Sequence, residues 1–202
     1  MDKIDSLDKI NAFVSDIRSL RKGYLTNFFL DRKKHSLWIE KGELFYVSFP
    51  DCYFLLHLTN SVNNLFFITT TSQQLAENLK AFLPIFAEQM AVDTVGDAKI
   101  VDLKDVFVEQ GFSVYEQLYR MNRIGTLEFK EIDTPNVCFA EDVDAQVVLD
   151  MLHSYFDPLS EQLPSYEEIL YFISRKSVLV YKEAGKVYGF VIFELNGQTL
   201  YL

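Results

Sequence analysis

The chain has 202 residues, of which 49% are hydrophobic and 15% aromatic, and its formal net charge is −10. This composition can support a hydrophobic core, which excludes an intrinsically disordered protein, and the negative charge disfavours binding to nucleic-acid phosphates. We expect a cytoplasmic protein without a membrane partner, because no apolar run reaches the roughly 18 residues of a bilayer span and the N-terminus lacks an apolar signal segment.

The residue types that usually bind metals are sparse and scattered. The two cysteines, Cys52 and Cys138, have no Cys or His neighbours at metal-ligand spacing, so we expect no metal, while a disulfide between them stays open. His35, His57 and His153 lie far apart in the sequence, and a structural or surface role is expected for each.

The first part of the chain changes from a helical to a strand pattern. Apolar residues from Ile4 to Leu20 recur at helical spacing, and Gly23 follows as a stop signal. The basic cluster at residues 32–35 is interpreted as a solvated turn, with a phosphate-binding patch as the alternative. Four short runs then predict an antiparallel meander at residues 36–40, 43–49, 52–58 and 64–69.

Mixed elements complete the predicted first domain. Ser72 is the predicted N-cap of a helix that extends towards Met90 and is kinked or divided at Pro84. A short strand at 91–95, a helix at 103–110 and a strand at 112–122 are predicted next. The polar stretch 125–135 is the predicted linker between a domain at 1–124 and a second domain at 136–202.

The second domain has the predicted order strand, helix, helix, strand, strand, strand. A strand at 136–140 precedes a helix that begins after acidic residues, and Ser165 with Glu168 forms the capping box of the next helix. Three strands at 177–181, 187–194 and 198–202 form a predicted meander. Gly189 interrupts the second of them, which indicates either a close approach of another group to the backbone or a β-bulge.

This second domain resembles the opening half of the GNAT acyltransferase fold. The resemblance is carried by the order of elements, by Ala140-Glu141-Asp142 after the first strand, and by the hairpin at 178–192, in which the family shows a glycine, an aromatic residue and two apolar residues. The first domain is similar to the same family near residues 110–121, and an unrelated α+β domain is the alternative there. We therefore expect an α+β protein with two GNAT-like units, the first of them degenerate.

The resemblance implies a function and the residues that would serve it. GNAT enzymes transfer an acyl group from acetyl-CoA to an amine, so the expected acceptor is a small-molecule amine or a peptide. By the same resemblance, Tyr155, Phe156, Asp157 and Tyr166 would line the acceptor site, and Glu194 would act as the general base.

The cofactor site is the weakest part of the resemblance. The resemblance implies that Leu200, Tyr201 and Leu202 bind the cofactor, and the sequence stops there, before the family's glycine-containing pyrophosphate loop would follow. At the equivalent place in the first domain, residues 69–76 contain no glycine. Glycines matter there because they let consecutive backbone N–H groups close on phosphates. Helix capping by the hydroxyls is the favoured interpretation, and anion binding is the alternative.

Two other functions remain open. The chain is a non-catalytic interaction or assembly module if residues 198–202 form an exposed edge strand, since such an edge invites pairing with a second copy in a homodimer. Alternatively, these residues are a piece of a longer enzyme whose cofactor loop lies beyond them.

Overall fold

The computed structural model describes residues 1–59, 62–86, 88–94, 101–118, 134–196 and 199–201. The chain divides into two compact units, 1–116 and 117–202, and each combines helices with antiparallel strands, so the predicted α+β class is confirmed. The predicted linker 125–135 lies almost entirely outside the described residues. None of the helices in the described ranges has the length and apolar character that crossing a bilayer requires.

The first unit is built around a five-stranded sheet with the order β1-β3-β4-β5-β2, in which every neighbouring pair is antiparallel. Its elements are β1 (Asp2–Lys3), α1 (Leu7–Ser19), β2 (Leu25–Thr26), α2 (Arg32–Lys41), β3 (Leu44–Phe49), β4 (Cys52–His57), β5 (Asn64–Thr69), α3 (Ser72–Phe82) and α4 (Val101–Glu109). The three central strands match the predicted meander at 43–49, 52–58 and 64–69.

Alternate residues of each strand point to opposite faces of this sheet, and helices cover both faces. On one side, α1 and α2 pack on residues such as Leu55 and Ile68. On the other side, α3 and α4 pack on Phe54, Leu56 and Phe67. The unit therefore has three layers, with the sheet in the middle.

The structure corrects the prediction for residues 32–40. The predicted strand 36–40 and the predicted solvated turn 32–35 are both wrong, since these residues form α2. The Asp31 carboxylate accepts the backbone N–H groups of Lys33 and Lys34, and Gly42, at φ 69°, ends the helix in the left-handed conformation. These two capping signals outweigh the β propensity of residues 36–40.

Four smaller predictions for the first unit also change. The N-cap of α3 is Thr71 and not Ser72, because the Thr71 hydroxyl accepts the N–H of Gln74 at 3.1 Å. The helix ends at Phe82, ahead of Pro84, which the predicted helix contained. The predicted strand 91–95 is a single parallel bridge between Ala91 and Asn64. Residues 112–118 form no strand, and the rest of the predicted strand 112–122 lies outside the described residues.

The second unit has a smaller, three-stranded sheet with the order β6-β7-β8 and a separate hairpin. Its elements are β6 (Val137–Phe139), a 3₁₀ turn (Asp142–Asp144), α5 (Ala145–Tyr155), α6 (Tyr166–Ser174), β7 (Val178–Glu183), β8 (Lys186–Ile192), β9 (Glu194–Asn196) and β10 (Thr199–Tyr201). Of the predicted third strand of the meander, 198–202, the described residues 199–201 form β10, which pairs with β9 and not with β8. In this register Thr199 lies opposite Asn196 and Tyr201 lies opposite Glu194.

The helices of the second unit cover one face of its sheet. Buried side chains of α5 and α6, such as Leu152 and Ile173, pack on Val178 and Val180. The predicted capping box at the start of α6 is confirmed by two reciprocal hydrogen bonds between Ser165 and the residue three positions later.

The opposite face of the β6-β7-β8 sheet is apolar and exposed, and we call it the open face. Its residues form two rows across the three strands. One row is Phe139, Leu179 and Val191, and the other is Val137, Tyr181 and Gly189. Phe139 is 48% exposed and Val191 is 45% exposed. A β-bulge in β8 lies beside Gly189, in agreement with one of the two interpretations of that glycine.

Candidate functional site

The predicted acceptor residues lie at the connection between α5 and α6. Tyr155 is the last residue of α5 and is 72% exposed, while Phe156 and Tyr166 are exposed by 40% and 38%. Asp157 organises the turn between the helices, because its carboxylate accepts the N–H of Leu159 at 2.8 Å. The four predicted residues thus lie at the end of α5, in the connection that follows it and at the start of α6, with the three aromatic side chains exposed.

The same layer is strongly acidic. Between residues 141 and 174 the chain contains no Lys or Arg, and its carboxylates are Glu141, Asp142, Asp144, Asp150, Asp157, Glu161, Glu167 and Glu168. Two of them are buried: Glu168 lies in the capping box of α6, and Asp144 forms an ion pair of 2.7 Å with Lys182. Aromatic faces and carboxylates both attract cations, so this surface is suited to a protonated amine more than to an anion.

Glu194, the predicted general base, is exposed at the start of β9. It belongs to the hairpin and not to the helical layer that holds the predicted acceptor residues. Its charge acts on Arg175. The pKa of that guanidinium is raised above its ordinary value chiefly by a hydrogen bond to the Tyr171 hydroxyl, with a smaller contribution from Glu194.

The predicted cofactor-side residues lie at the end of the same hairpin. Leu200 is 50% exposed and lies opposite Leu195, which is 71% exposed. The backbone of Tyr201 pairs with that of Glu194, and Leu202 lies outside the described residues. The described part of this hairpin therefore presents an exposed apolar pair beside the predicted base.

The start of α3 is the place where the family would bind pyrophosphate in the first unit. Two threonine hydroxyls there form hydrogen bonds within the protein. The Thr71 hydroxyl caps the helix, and the Thr69 hydroxyl donates to the carbonyl of Asp51 at 2.9 Å. The chain at Gly23 also approaches closely, since a Cβ atom there would lie 2.6 Å from the Thr70 carbonyl oxygen. Capping, the favoured interpretation of these hydroxyls, is thus confirmed for Thr71.

A cluster of rings that sequence reasoning missed joins two of the three histidines. This Trp38 cluster contains Phe28, His35, Trp38, His57 and Phe66. The Trp38 and His57 rings stack in parallel, with centroids 3.7 Å apart and an interplanar angle of 8°. The sequence does contain a signal for this cluster, because His35 and Trp38 are three residues apart and lie on the same side of a helix. The interpretation of residues 36–40 as a strand concealed it.

Both histidines of the cluster are buried neutral groups. Burial, followed by the charge of Lys34, lowers the pKa of His35 to about 4, and the same two causes lower the pKa of His57 to about 4. A neutral imidazole fits the hydrogen bonds, because His35 Nδ1 accepts the N–H of Asp31 at 3.0 Å. His57 Nε2 lies 3.2 Å from a Glu43 carboxylate oxygen, to which it donates when neutral.

The remaining candidate chemistry is limited in the residues that the structure describes. Both cysteines are free, with Cys52 buried and Cys138 exposed, so the disulfide that the sequence left open does not form. Burial raises the pKa of the Cys52 thiol to about 12, which keeps it protonated. No cluster of three or more metal-ligating side chains occurs within the described ranges.

Comparisons of the chain with protein-family models, with curated proteins and with solved structures give no match. A functional assignment therefore depends on the order of elements in the two units and on the chemistry of these surfaces.

Proposed function

We propose that this chain is a cytoplasmic, acetyl-CoA-dependent N-acyltransferase of the GNAT type, with the acceptor bound by the second unit. The supporting observation is an order of elements that both units share: a strand, two helices on one face, and then antiparallel strands. In the first unit the order is β1-α1-β2-α2-β3-β4, with the two-residue strand β2 between the helices, and apart from that strand it matches β6-α5-α6-β7-β8 of the second unit. By resemblance, this is the order of the opening half of the GNAT fold.

In this proposal the acidic helical layer binds the acceptor amine beside Tyr155 and Tyr166. Glu194 first takes one proton from the bound ammonium group, the neutral amine nitrogen then attacks the thioester carbon of acetyl-CoA, and the carbon–sulfur bond breaks as CoA leaves with the second amine proton on its thiolate. Positioning of the two substrates and backbone N–H groups aimed at the thioester oxygen would supply most of the rate enhancement. Leu200 and Tyr201 would lie on the cofactor side.

Calorimetric titration of acetyl-CoA and CoA into the chain tests this function. Micromolar binding supports the proposal, and Glu194→Gln should then keep the binding while losing acyl transfer to an amine. An absence of heat at millimolar ligand overturns the enzyme proposal for these residues. Tyr155→Ala is the matched variant for the acceptor side, because it should weaken the acceptor and leave acetyl-CoA binding unchanged.

The second candidate function is a non-catalytic interaction or assembly module. Two observations favour it: the apolar open face of the β6-β7-β8 sheet, and the exposed pair Leu195 and Leu200 on the terminal hairpin. A homodimer through the β10 edge would bury that pair. Sedimentation of the chain with and without residues 199–202 tests this, because a concentration-dependent dimer should disappear with the deletion. A chain that stays monomeric at millimolar concentration argues against it.

A further inference from the structure

Helix α2 contacts the first unit chiefly through two side chains. The buried residues of α2 are His35 and Trp38, an imidazole and an indole, and Ile39 packs beside them partly buried. The helix also carries Glu40 and four cationic residues, namely Arg32, Lys33, Lys34 and Lys41. The buried contact of α2 is therefore aromatic and titratable, whereas α1 is attached by the apolar residues Ile10, Phe13 and Ile17.

The surface that receives α2 contains a second titratable ring. Trp38 stacks on His57 of β4, while the His35 ring lies 4.4 Å from Phe28 and 4.7 Å from Trp38, measured between centroids. Phe66 of β5 closes the cluster, with its ring 6.1 Å from that of Trp38. Both imidazoles thus lie inside the contact between α2 and the sheet.

The charged groups around these imidazoles are mostly cationic. Lys34 disfavours protonation of both histidines, and Lys41 disfavours protonation of His57. On the opposing side, Asp31 at the start of α2 favours the charged form of His35. The Glu43 carboxylate just before β3 lies 3.2 Å from His57 Nε2 and favours the charged form of that ring, whereas burial, Lys34 and Lys41 lower its pKa.

We propose that α2 is an acid-released element, in which protonation of His35 and His57 undocks the helix from the sheet while α1, α3 and the second unit stay folded. The geometry supports a local event, because both titratable rings lie in the contact between this one helix and the sheet. This inference does not depend on the proposed acyltransferase function.

The pH window follows from the direction of the two shifts. Each pKa is lowered from 6.5 to about 4 when the helix is docked, so the undocked state binds protons more readily. Docking is therefore at full strength above pH 6.5 and weakens as the pH falls towards 4. The undocking equilibrium should rise about tenfold per histidine at pH 5.5, and about a hundredfold for the pair.

The chain contains one residue whose fluorescence reports the release of α2 and one histidine that serves as a control. Trp38 is the only tryptophan, and His153 is the only histidine outside the cluster, exposed on α5. Between pH 7.5 and 4.5, we expect the Trp38 emission of the unmodified chain to shift to the red as the helix leaves the sheet. His57→Gln and His35→Gln should each weaken the pH dependence, while His153→Gln should leave it unchanged. An unchanged pH dependence in both cluster variants overturns the proposal.

Hydrogen exchange distinguishes local release from acid unfolding of the whole unit. At pH 5.5, the protection factors of α2 amides should fall about a hundredfold, while those of α1 and α6 stay constant. Equal losses in α1 and α2 would overturn the proposal. If the glutamine variants do not fold, the histidine ring protons of the unmodified chain decide, since titration of all three rings near pH 6.5 excludes the mechanism.

Discussion

The two units share an order of elements but differ in how their sheets are covered. In the first unit, α1 and α2 cover one face and α3 and α4 the other, so that Phe67 is fully buried. In the second unit, α5 and α6 cover one face, and Phe139 on the open face is 48% exposed. The difference teaches that the shared order builds only two layers, and that the third layer depends on the helices that follow the last strand.

Removal of a large side chain should reveal this difference most clearly. Phe67→Ala should destabilise the first unit by about 3 to 5 kcal/mol, because the ring lies between the sheet and the α3–α4 layer and would leave a cavity. Urea denaturation followed by circular dichroism measures the loss.

The matched variant for this comparison is Phe139→Ala on the open face. It should lower the free energy of unfolding by only about 1 kcal/mol, because its ring is already half in water. A loss as large as that of Phe67→Ala would mean that another part of the protein covers the open face in solution.

The buried ion pair of the second unit should give the next largest effect. Asp144→Asn removes the carboxylate that pairs with Lys182 at 2.7 Å and that accepts the backbone N–H of Glu141 at 2.8 Å. We expect a loss of about 2 kcal/mol, smaller than for a fully buried pair because the Lys182 side chain is partly exposed and can return to water. Thermal unfolding of the second unit measures it, and Asp142→Asn, an exposed neighbour, is the control.

Removal of a helix N-cap should lower the free energy of unfolding by the same amount in both units, although their cores differ. Thr71→Ala at α3 and Ser165→Ala at α6 each remove a side-chain oxygen that accepts a backbone N–H, so each should lose about 1 kcal/mol. Denaturant midpoints of the two variants, compared with Ser154→Ala near the end of α5, test this. Clearly unequal losses would show that packing around the caps, and not the caps themselves, sets the energy.

The smallest predicted effect is an increase in the free energy of unfolding. Gly189→Val on the open face should stabilise the second unit by about 0.5 kcal/mol, because β-branched residues favour strands. A Cβ atom there meets nothing within 4 Å, and the glycine does not have a positive φ. Gly23→Ala is the contrast, since its φ is 116° and its Cβ would clash with the Thr70 carbonyl, so it should destabilise the first unit. A loss of stability in Gly189→Val would indicate that the open face is closed over that glycine.

The elements that sequence patterns predicted well are those in which local and tertiary preferences agree. The strands β3, β4 and β5 have dense β-branched and aromatic residues with turn signals between them, and α6 has a complete capping box. Helix α2 was missed because Trp38 and Ile39 favour a strand by themselves, while the cap at Asp31 and the stop at Gly42 decide the helix.

The positions of the candidate acceptor residues follow from local chain order. Tyr155, Phe156 and Asp157 are consecutive, and Tyr166 begins the helix packed on α5, while their role as an acceptor site stays a prediction. His35 and His57 lie in one cluster because α2 packs near β4, although β3 separates these two elements in the sequence. No pattern of neighbouring residues predicts that contact.

The sequence by itself determined the α+β class, most of the strands, the caps of α6 and the acidic character of the helical layer at 141–174, because these depend on composition and on neighbours a few residues apart. Only the tertiary structure decided which sheet faces are covered, how the terminal hairpin pairs and why two histidines stay neutral. Those properties arise from burial and from contacts between distant segments, and the same residues in another packing would have different exposure and different pKa values.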